Sequence, residues 1–535
     1  MAVIEHSADV SHAMVTTAVP LGDWLVVAPT IITILGGVVC LLTRKKTHIQ
    51  PRIAIATLAL LVLSNFSLLG RVMDQGVINM VMGQWLPPYG IAFTVDPTGA
   101  MLALIASVVA FATALYGVGD SDAISRRYGF YPFLMLLMTG VSGTFLTGDI
   151  FNMYVWFEVL LISSFGLLIL GNDKAQLDGA VKYGILNLIA TTLFLIATGY
   201  LYGLVGTLNM ADIRGAVENL PDKAPILTVS VLYLLAFAMK AAAFPVNFWL
   251  PASYHTPRIA VAGVFAGLLT KVGVYALLRT MVMLLPAYRE MLSDVLAVMA
   301  VLTMITGALG GIAHSDLRRA LGYLVISGIG SMLAGITIAS QLALTGTILY
   351  AIHSIIVMTG LYFVVGMASR MSHTFQLREL GGLYAKSPLL ALSYFILAVS
   401  LCGLPPTSGF WAKVVLVDAA IHDGWPWLAG AILFTGFLTC IAVARIGLFA
   451  FWRGGPEGTP DGTARAVTAS GEAYQPDVSA AYTAMWLALG LLTGLSLFIG
   501  LAPNHIVEIA EAGASGLLDP VNYIGAVFGT TGGPL

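Results

Sequence analysis

With 535 residues, 58% of them hydrophobic and only 10% charged, the chain is far too apolar for a soluble globular protein. A net charge of −2 without any basic run gives no reason to expect nucleic acid as a partner. Cys40, Cys402 and Cys440 fall in separate apolar stretches with no CxxC or His-coupled spacing, so neither a disulfide framework nor a metal or cofactor site is expected.

In chain order, Glu5, His6 and Asp9 precede the first apolar run where a signal peptide would carry positive charge, so the first helix is expected to stay in the mature chain. Runs of about 20 apolar residues, enough to cross a ~30 Å hydrocarbon core, occur near 23–42, 53–73, 97–117, 130–148, 150–171, 182–205, 226–250, 257–286, 291–312, 317–337, 341–369, 388–420, 426–452 and 479–502. Only Gly148 and Asp149 separate the fourth run from the fifth. The expected fold is an all-α polytopic membrane protein with about fourteen transmembrane helices.

Charge placement orients these helices, because short loops rich in Lys and Arg stay cytoplasmic. Arg44, Lys45, Lys46 and Arg52 follow the first run, Arg126 and Arg127 the third, Lys174 and Lys182 the fifth, and Arg258 the seventh. Arg318 and Arg319 follow the ninth, Arg370, Arg378 and Lys386 the eleventh, and Arg453 and Arg465 the thirteenth. The alternate loops are poor in such residues, which predicts both termini outside. Residues 454–478 read as a cytoplasmic loop, and 479–535 as the last helix with an extracellular tail, amphipathic around His505–Ala512.

Two runs carry breakers at membrane depth. Pro245 and Pro251 lie in and just beyond the seventh, and Gly403, Pro405, Pro406 and Gly409 in the twelfth, so both helices should be interrupted. A pair of interrupted helices in corresponding places points to a transport site between repeats. The expected organisation is helices 1–3 in 1–129, a five-helix repeat in 130–286 and an inverted second one in 291–453, with the breaks fourth in each.

Three lysines also lie inside the apolar runs: Lys240, Lys271 and Lys413. Each costs about 2.5–3.5 kcal/mol at a bilayer centre, so they must face a polar interior, where an ammonium can hold and release a proton. The plain alternative is a lysine that caps carbonyls freed by a broken helix. Glu158 lies in the fifth run, and buried in isolation it would be neutralised unless a cation such as Lys240 stabilised its charge.

The texts FNMYVWFEVLLISSFGLLIL (151–170), FPVNFWLPASYHTPRIAVAGVFAGLLTKVGVYALLR (244–279), HSDLRRALGYLVISGIG (314–330) and GLPPTSGFWAKVVL (403–416) resemble the antiporter-like family. That family is shared by complex I membrane subunits, membrane-bound hydrogenases and Mrp-type Na+/H+ antiporters. The resemblance covers about residues 95–450, and the wording is nearest to the D-type branch of the Mrp antiporters. It implies a charged axis along the membrane midplane, with Glu158, Lys240, Lys271 and Lys413 on the matching positions. Met358 stands where relatives often carry a further lysine, in HSIIVMTGLYF, while His353 remains. His353 would then carry the proton between Lys271 and Lys413, with Ser327 and Ser331 nearby. His255, His314, Asp149 and Asp418 are weaker candidates at helix ends.

The resemblance implies a proton-translocating subunit of a sodium/proton antiporter in a prokaryotic cell membrane, without redox or other enzymatic sites of its own. Its partners would be protons, Na+, lipid and companion subunits of the Mrp A, B, C, E, F and G type. Two alternatives are a proton-pumping subunit of complex I or of a membrane hydrogenase, and a self-contained solute permease.

Overall fold

The computed structural model describes residues 14–15, 19–83, 85–221, 224–454 and 480–529. Residues 455–479, which hold nearly all of the expected cytoplasmic loop, and the two chain ends lie outside them. Helices dominate: α1 Ala28–Leu42, α2 Gln50–Gln75, α3 Pro97–Asp120, α4 Phe130–Leu146, α5 Ile150–Leu168, α6 Lys174–Val205, α7 Ile226–Ala241 and α8 Ile259–Leu284. They continue as α9 Ser293–Ala313, α10 Leu317–Ile338, α11 Gln341–Ser372, α12 Pro388–Cys402, α13 Ser408–His422, α14 Pro426–Trp452 and α15 Ala480–Leu501. Every expected apolar run carries a helix, and ten of the helices are long and apolar enough to cross a membrane.

Local chemistry sets the helix ends. Asp149 starts α5 by accepting the Asn152 amide at 2.7 Å after extended Thr147, which is how two residues suffice to part α4 from α5. α6 begins eight residues before the expected position, at Lys174. Its first turns are held by an i,i+4 pair between Lys182 and Asp178 at 2.5 Å, which a search for apolar windows overlooks.

Both expected interruptions are present. α7 stops at Ala241 and the chain turns helical again only at the short segment Trp249–Ser253, while α12 stops at Cys402 and α13 starts at Ser408. Two features were not expected. A two-stranded antiparallel hairpin pairs β1 Ile78–Val81 with β2 Ala92–Val95 between α2 and α3. α8 contains two π-helical stretches, Phe265–Leu269 and Leu278–Leu284. In the tail the amphipathic stretch around His505–Ala512 is part of α16 Asn504–Leu518, followed by a further helix α17 Val521–Phe528, and the two pack on α3, α8, α11 and the hairpin.

Burial sorts the helices by depth. α8 and α11 are buried along their apolar lengths and α10 nearly so, whereas α2, α6 and α14 expose large apolar side chains such as Leu63, Phe66, Ile185, Leu188, Phe434 and Phe437. Outer surfaces of that kind suit lipid or a neighbouring subunit. The innermost helices are therefore the ones that hold Lys271 and His353, where a polar side chain without partners is costly.

Candidate functional site

At the first interruption Ala242 takes a left-handed conformation, φ 61°, and ends α7 two residues after Lys240. Neutral side chains satisfy two backbone groups at the break and brace it with a third bond. Trp249 Nε1 donates to Met239 O at 3.0 Å, the Phe244 amide donates to Thr303 Oγ1 at 2.9 Å, and Asn247 Nδ2 donates to Thr306 Oγ1 at 2.9 Å. Lys240 caps no carbonyl here. Its ammonium is buried, makes no hydrogen bond and lies 5.6 Å from the centroid of the Phe157 ring. Glu158, next in sequence to that ring, is half-buried and within electrostatic range of Lys240. The two form an open rather than a closed ion pair.

α8 crosses α7 at Lys240. A Cβ on Gly273 would come within 2.8 Å of Ala241 N and 3.2 Å of the Lys240 carbonyl carbon, so only glycine lets the two backbones approach this closely. One turn earlier the π-helical stretch Phe265–Leu269 widens the helix around the Ala266 carbonyl. Lys271 Nζ donates to that carbonyl, Ala266 O, at 2.7 Å, and the side chain is 1% exposed.

His353 sits on α11 within electrostatic range of both Lys413 and Lys271. Its Nδ1 is 2.9 Å from Ser408 Oγ and 3.4 Å from Ser400 Oγ. Ser400, Ser408 and Ser496 close a triangle of hydroxyls with sides of 3.1, 2.9 and 3.0 Å, drawn from α12, α13 and α15. His353 Nε2 has no partner, and the Tyr350 ring stands edge-on 5.5 Å away. Ser331 lies near Tyr350, and the hydroxyls that meet His353 are not the two expected from sequence. Ser400 and Ser408 flank the Pro405–Pro406 break and were legible as its polar margins. Ser496 had no local signal.

At the second interruption Gly403, φ 83°, plays the part of Ala242. Here the lysine does the capping: Lys413 Nζ donates to Leu401 O at 3.0 Å and to Cys402 O at 2.9 Å. It is half-buried beside a cavity of about 460 Å3 lined also by Cys402, Cys440 and Asp418.

The weaker candidates are peripheral. His255, in the turn before α8, is framed by Pro251 O at 2.9 Å on Nδ1 and by Arg319 at 3.0 Å on Nε2. That frame requires a neutral ring with its proton on Nδ1, and burial followed by the Arg319 charge holds its pKa below the ordinary histidine value. His314 bonds Gly310 O at 2.9 Å and stacks on Tyr323, Asp149 caps α5, and exposed Asp418 pairs with His422. Among the described residues there is no cluster of three or more potential metal ligands.

The family model described as NADH:quinone oxidoreductase/Mrp antiporter, transmembrane, matches residues 147–439. The D-type Na+/H+ antiporter subunit of Alkalihalophilus pseudofirmus is 35% identical, over 94% of this chain and 99% of its own length. The protein of the same name from Bacillus subtilis is 33% identical, over 94% and 99%. Among solved structures, a chain of the Mrp complex from a Dietzia species superposes with a TM-score of 0.85 at 28% identity, covering 96% of this chain and 100% of that one.

Proposed function

The chain belongs to the NADH:quinone oxidoreductase/Mrp antiporter family of membrane proteins, and on that premise we propose that it is the D-type subunit of a multi-subunit Na+/H+ antiporter. It works in a prokaryotic cell membrane with companion subunits of the Mrp type. As a transporter it moves protons and forms no covalent bond. The reading has both termini on the outer face, as the alternation of basic loops supports. The units 130–286 and 291–453 act as inverted repeats, a reading supported by two helix breaks that each begin with a left-handed residue followed three positions later by proline.

The observation that carries the mechanism is the Lys240 ammonium, buried without a hydrogen bond and facing Glu158. An uncapped amine in a low-dielectric site is held charged mainly by its counter-ion, so closing or opening the Glu158 pair changes its hold on a proton. Lys271, His353 with its serine triangle, and Lys413 continue the row, each biasing the protonation of the next. The imidazole hands a proton on between two amines that cannot both stay charged at low cost.

The test is sodium-driven proton movement in vesicles holding the complete antiporter assembly. Glu158→Gln keeps the shape and hydrogen-bonding capacity of the side chain and removes its charge. It should abolish exchange while the subunits still assemble, and wild-type coupling in that variant would sink the relay.

A further inference from the structure

At the face that carries the basic loops, a pocket of about 420 Å3 opens where the start of α6, the segment after the first break and the start of α10 come together. Lys182 and Asp178 line it from α6, Phe248 from the broken segment, His255 from the turn before α8, His314 from the end of α9 and Arg319 from α10. The charges there do not cancel. Lys182 is matched by Asp178 at 2.5 Å in an exposed pair, and Arg318 is matched by Asp316 at 2.9 Å. Arg319 has no acidic partner among the described residues, where its side chain donates only to His255 Nε2, at 3.0 Å. Lys182 and Arg319 against Asp178 therefore leave one positive charge over before either imidazole is counted. A guanidinium has five N–H donors in a planar fork, so Arg319 keeps donors for an anion after serving His255.

The approach to this cationic pocket is apolar. Phe248 on its wall is 58% exposed, and Leu177, Val181 and Ile185 recur every four residues as an exposed stripe on α6 beside Lys182. Bare apolar side chains of that kind suit acyl chains, and a basic pocket at the end of such a stripe suits the charged end of the same molecule. Basic pockets between transmembrane helices on the cytoplasmic side hold anionic headgroups in just this way, because the phosphate meets fixed donors while the chains stay in the hydrocarbon.

We propose that this pocket binds a phosphate group, that of an anionic phospholipid, between Lys182 and Arg319. The phosphate takes the place of Asp178 on Lys182 and ties the start of α6 to the start of α10 across the segment that follows the first break. Each basic side chain beside an anionic headgroup strengthens binding about fivefold, and Asp178, competing for Lys182, weakens it. Binding is independent of the antiporter reading, because none of these groups belongs to the row of buried amines.

Ala175 lines the pocket from the exposed first turn of α6, so Ala175→Cys reports whether the pocket is filled. Its alkylation by a neutral maleimide is timed in the detergent-solubilised whole assembly, with wild type treated alike to subtract Cys40, Cys402 and Cys440. Phosphatidylglycerol, phosphatidylcholine or inorganic phosphate is added in separate samples. The expected result is at least fivefold slower labelling with phosphatidylglycerol and no slowing with phosphatidylcholine; slowing by inorganic phosphate as well supports the same phosphate chemistry. No slowing by phosphatidylglycerol, or equal slowing by phosphatidylcholine, overturns the proposal, and slowing by inorganic phosphate without phosphatidylglycerol overturns the lipid as the ligand. In the Ala175→Cys chain, Lys182→Gln changes an exposed side chain and should raise the phosphatidylglycerol needed for half-protection about fivefold, and Arg319→Gln with it about 25-fold. Asp178→Asn should lower that amount. Unchanged protection in Lys182→Gln, or weaker protection in Asp178→Asn, overturns the assignment of the headgroup to these side chains.

Discussion

The two helix breaks look alike in sequence and do different work. Each has a left-handed residue with a proline three positions on, and each has a buried or half-buried lysine near it. At the first, Trp249, Thr303 and Asn247 with Thr306 satisfy or brace the broken backbone, and Lys240 is left to interact with Glu158. At the second, Lys413 itself closes two of the freed carbonyls. A lysine that caps nothing is free to answer to a changing counter-ion, and a lysine that caps two carbonyls is also part of the scaffold. The plain reading of membrane lysines as backbone caps therefore describes Lys413 and Lys271 structurally and leaves Lys240 as the exposed nerve of the row.

That contrast can be broken most sharply at Lys240. Lys240→Ala should reduce sodium-driven proton movement by at least a hundredfold while the purified assembly melts at the wild-type temperature or above it, since a buried ammonium without a hydrogen bond is removed and half-buried Glu158 keeps access to water. A drop in melting temperature would place Lys240 in the scaffold after all. Lys413→Ala should lower both quantities: exchange by at least tenfold, and stability by about 2–3 kcal/mol because two carbonyls lose a charged donor. The two readouts, compared across the pair of variants, separate an electrostatic role from a capping one.

Smaller effects sharpen the picture. His353→Ala should slow exchange several-fold with a changed dependence on pH between 6 and 9, and a profile superimposable on wild type would mean that the proton bypasses the imidazole. Trp249→Phe deletes the donor to Met239 O together with part of a buried ring, which should cost about 2–4 kcal/mol in thermal unfolding and leave exchange within a factor of two. If that variant instead lost exchange outright, the first break would be as tightly tied to transport as Lys240 itself.

Much of this was legible in the amino-acid sequence alone. Proline at membrane depth announces a break because the missing amide and the ring clash are local, and Pro245 and Pro405–Pro406 said so directly. Lysine among apolar residues announces a polar interior for the same reason, and Glu158, Lys240, Lys271, His353 and Lys413 all fall on helices that meet inside the molecule. What stayed hidden depends on distant parts. The serine triangle draws on residues 400, 408 and 496, and the Arg279–Asp96 contact spans 183 positions, so no window of sequence contains either. The π-helical stretches were hidden differently, since FAGLL and LRTMVML read as ordinary helix, and in the fold the first packs against α11 and the second against the tail.

The widened turn at Phe265–Leu269 takes up one residue more than an α turn over about the same rotation, so it sets the azimuth of everything after it. If the same residues wound as a regular α spiral, Lys271, Tyr275 and Arg279 would swing together by about 100° around the axis. The Lys271 ammonium would then leave Ala266 O although no side chain had been altered. Where that amine points is stored in the width of one turn, in a stretch that carries no polar side chain of its own.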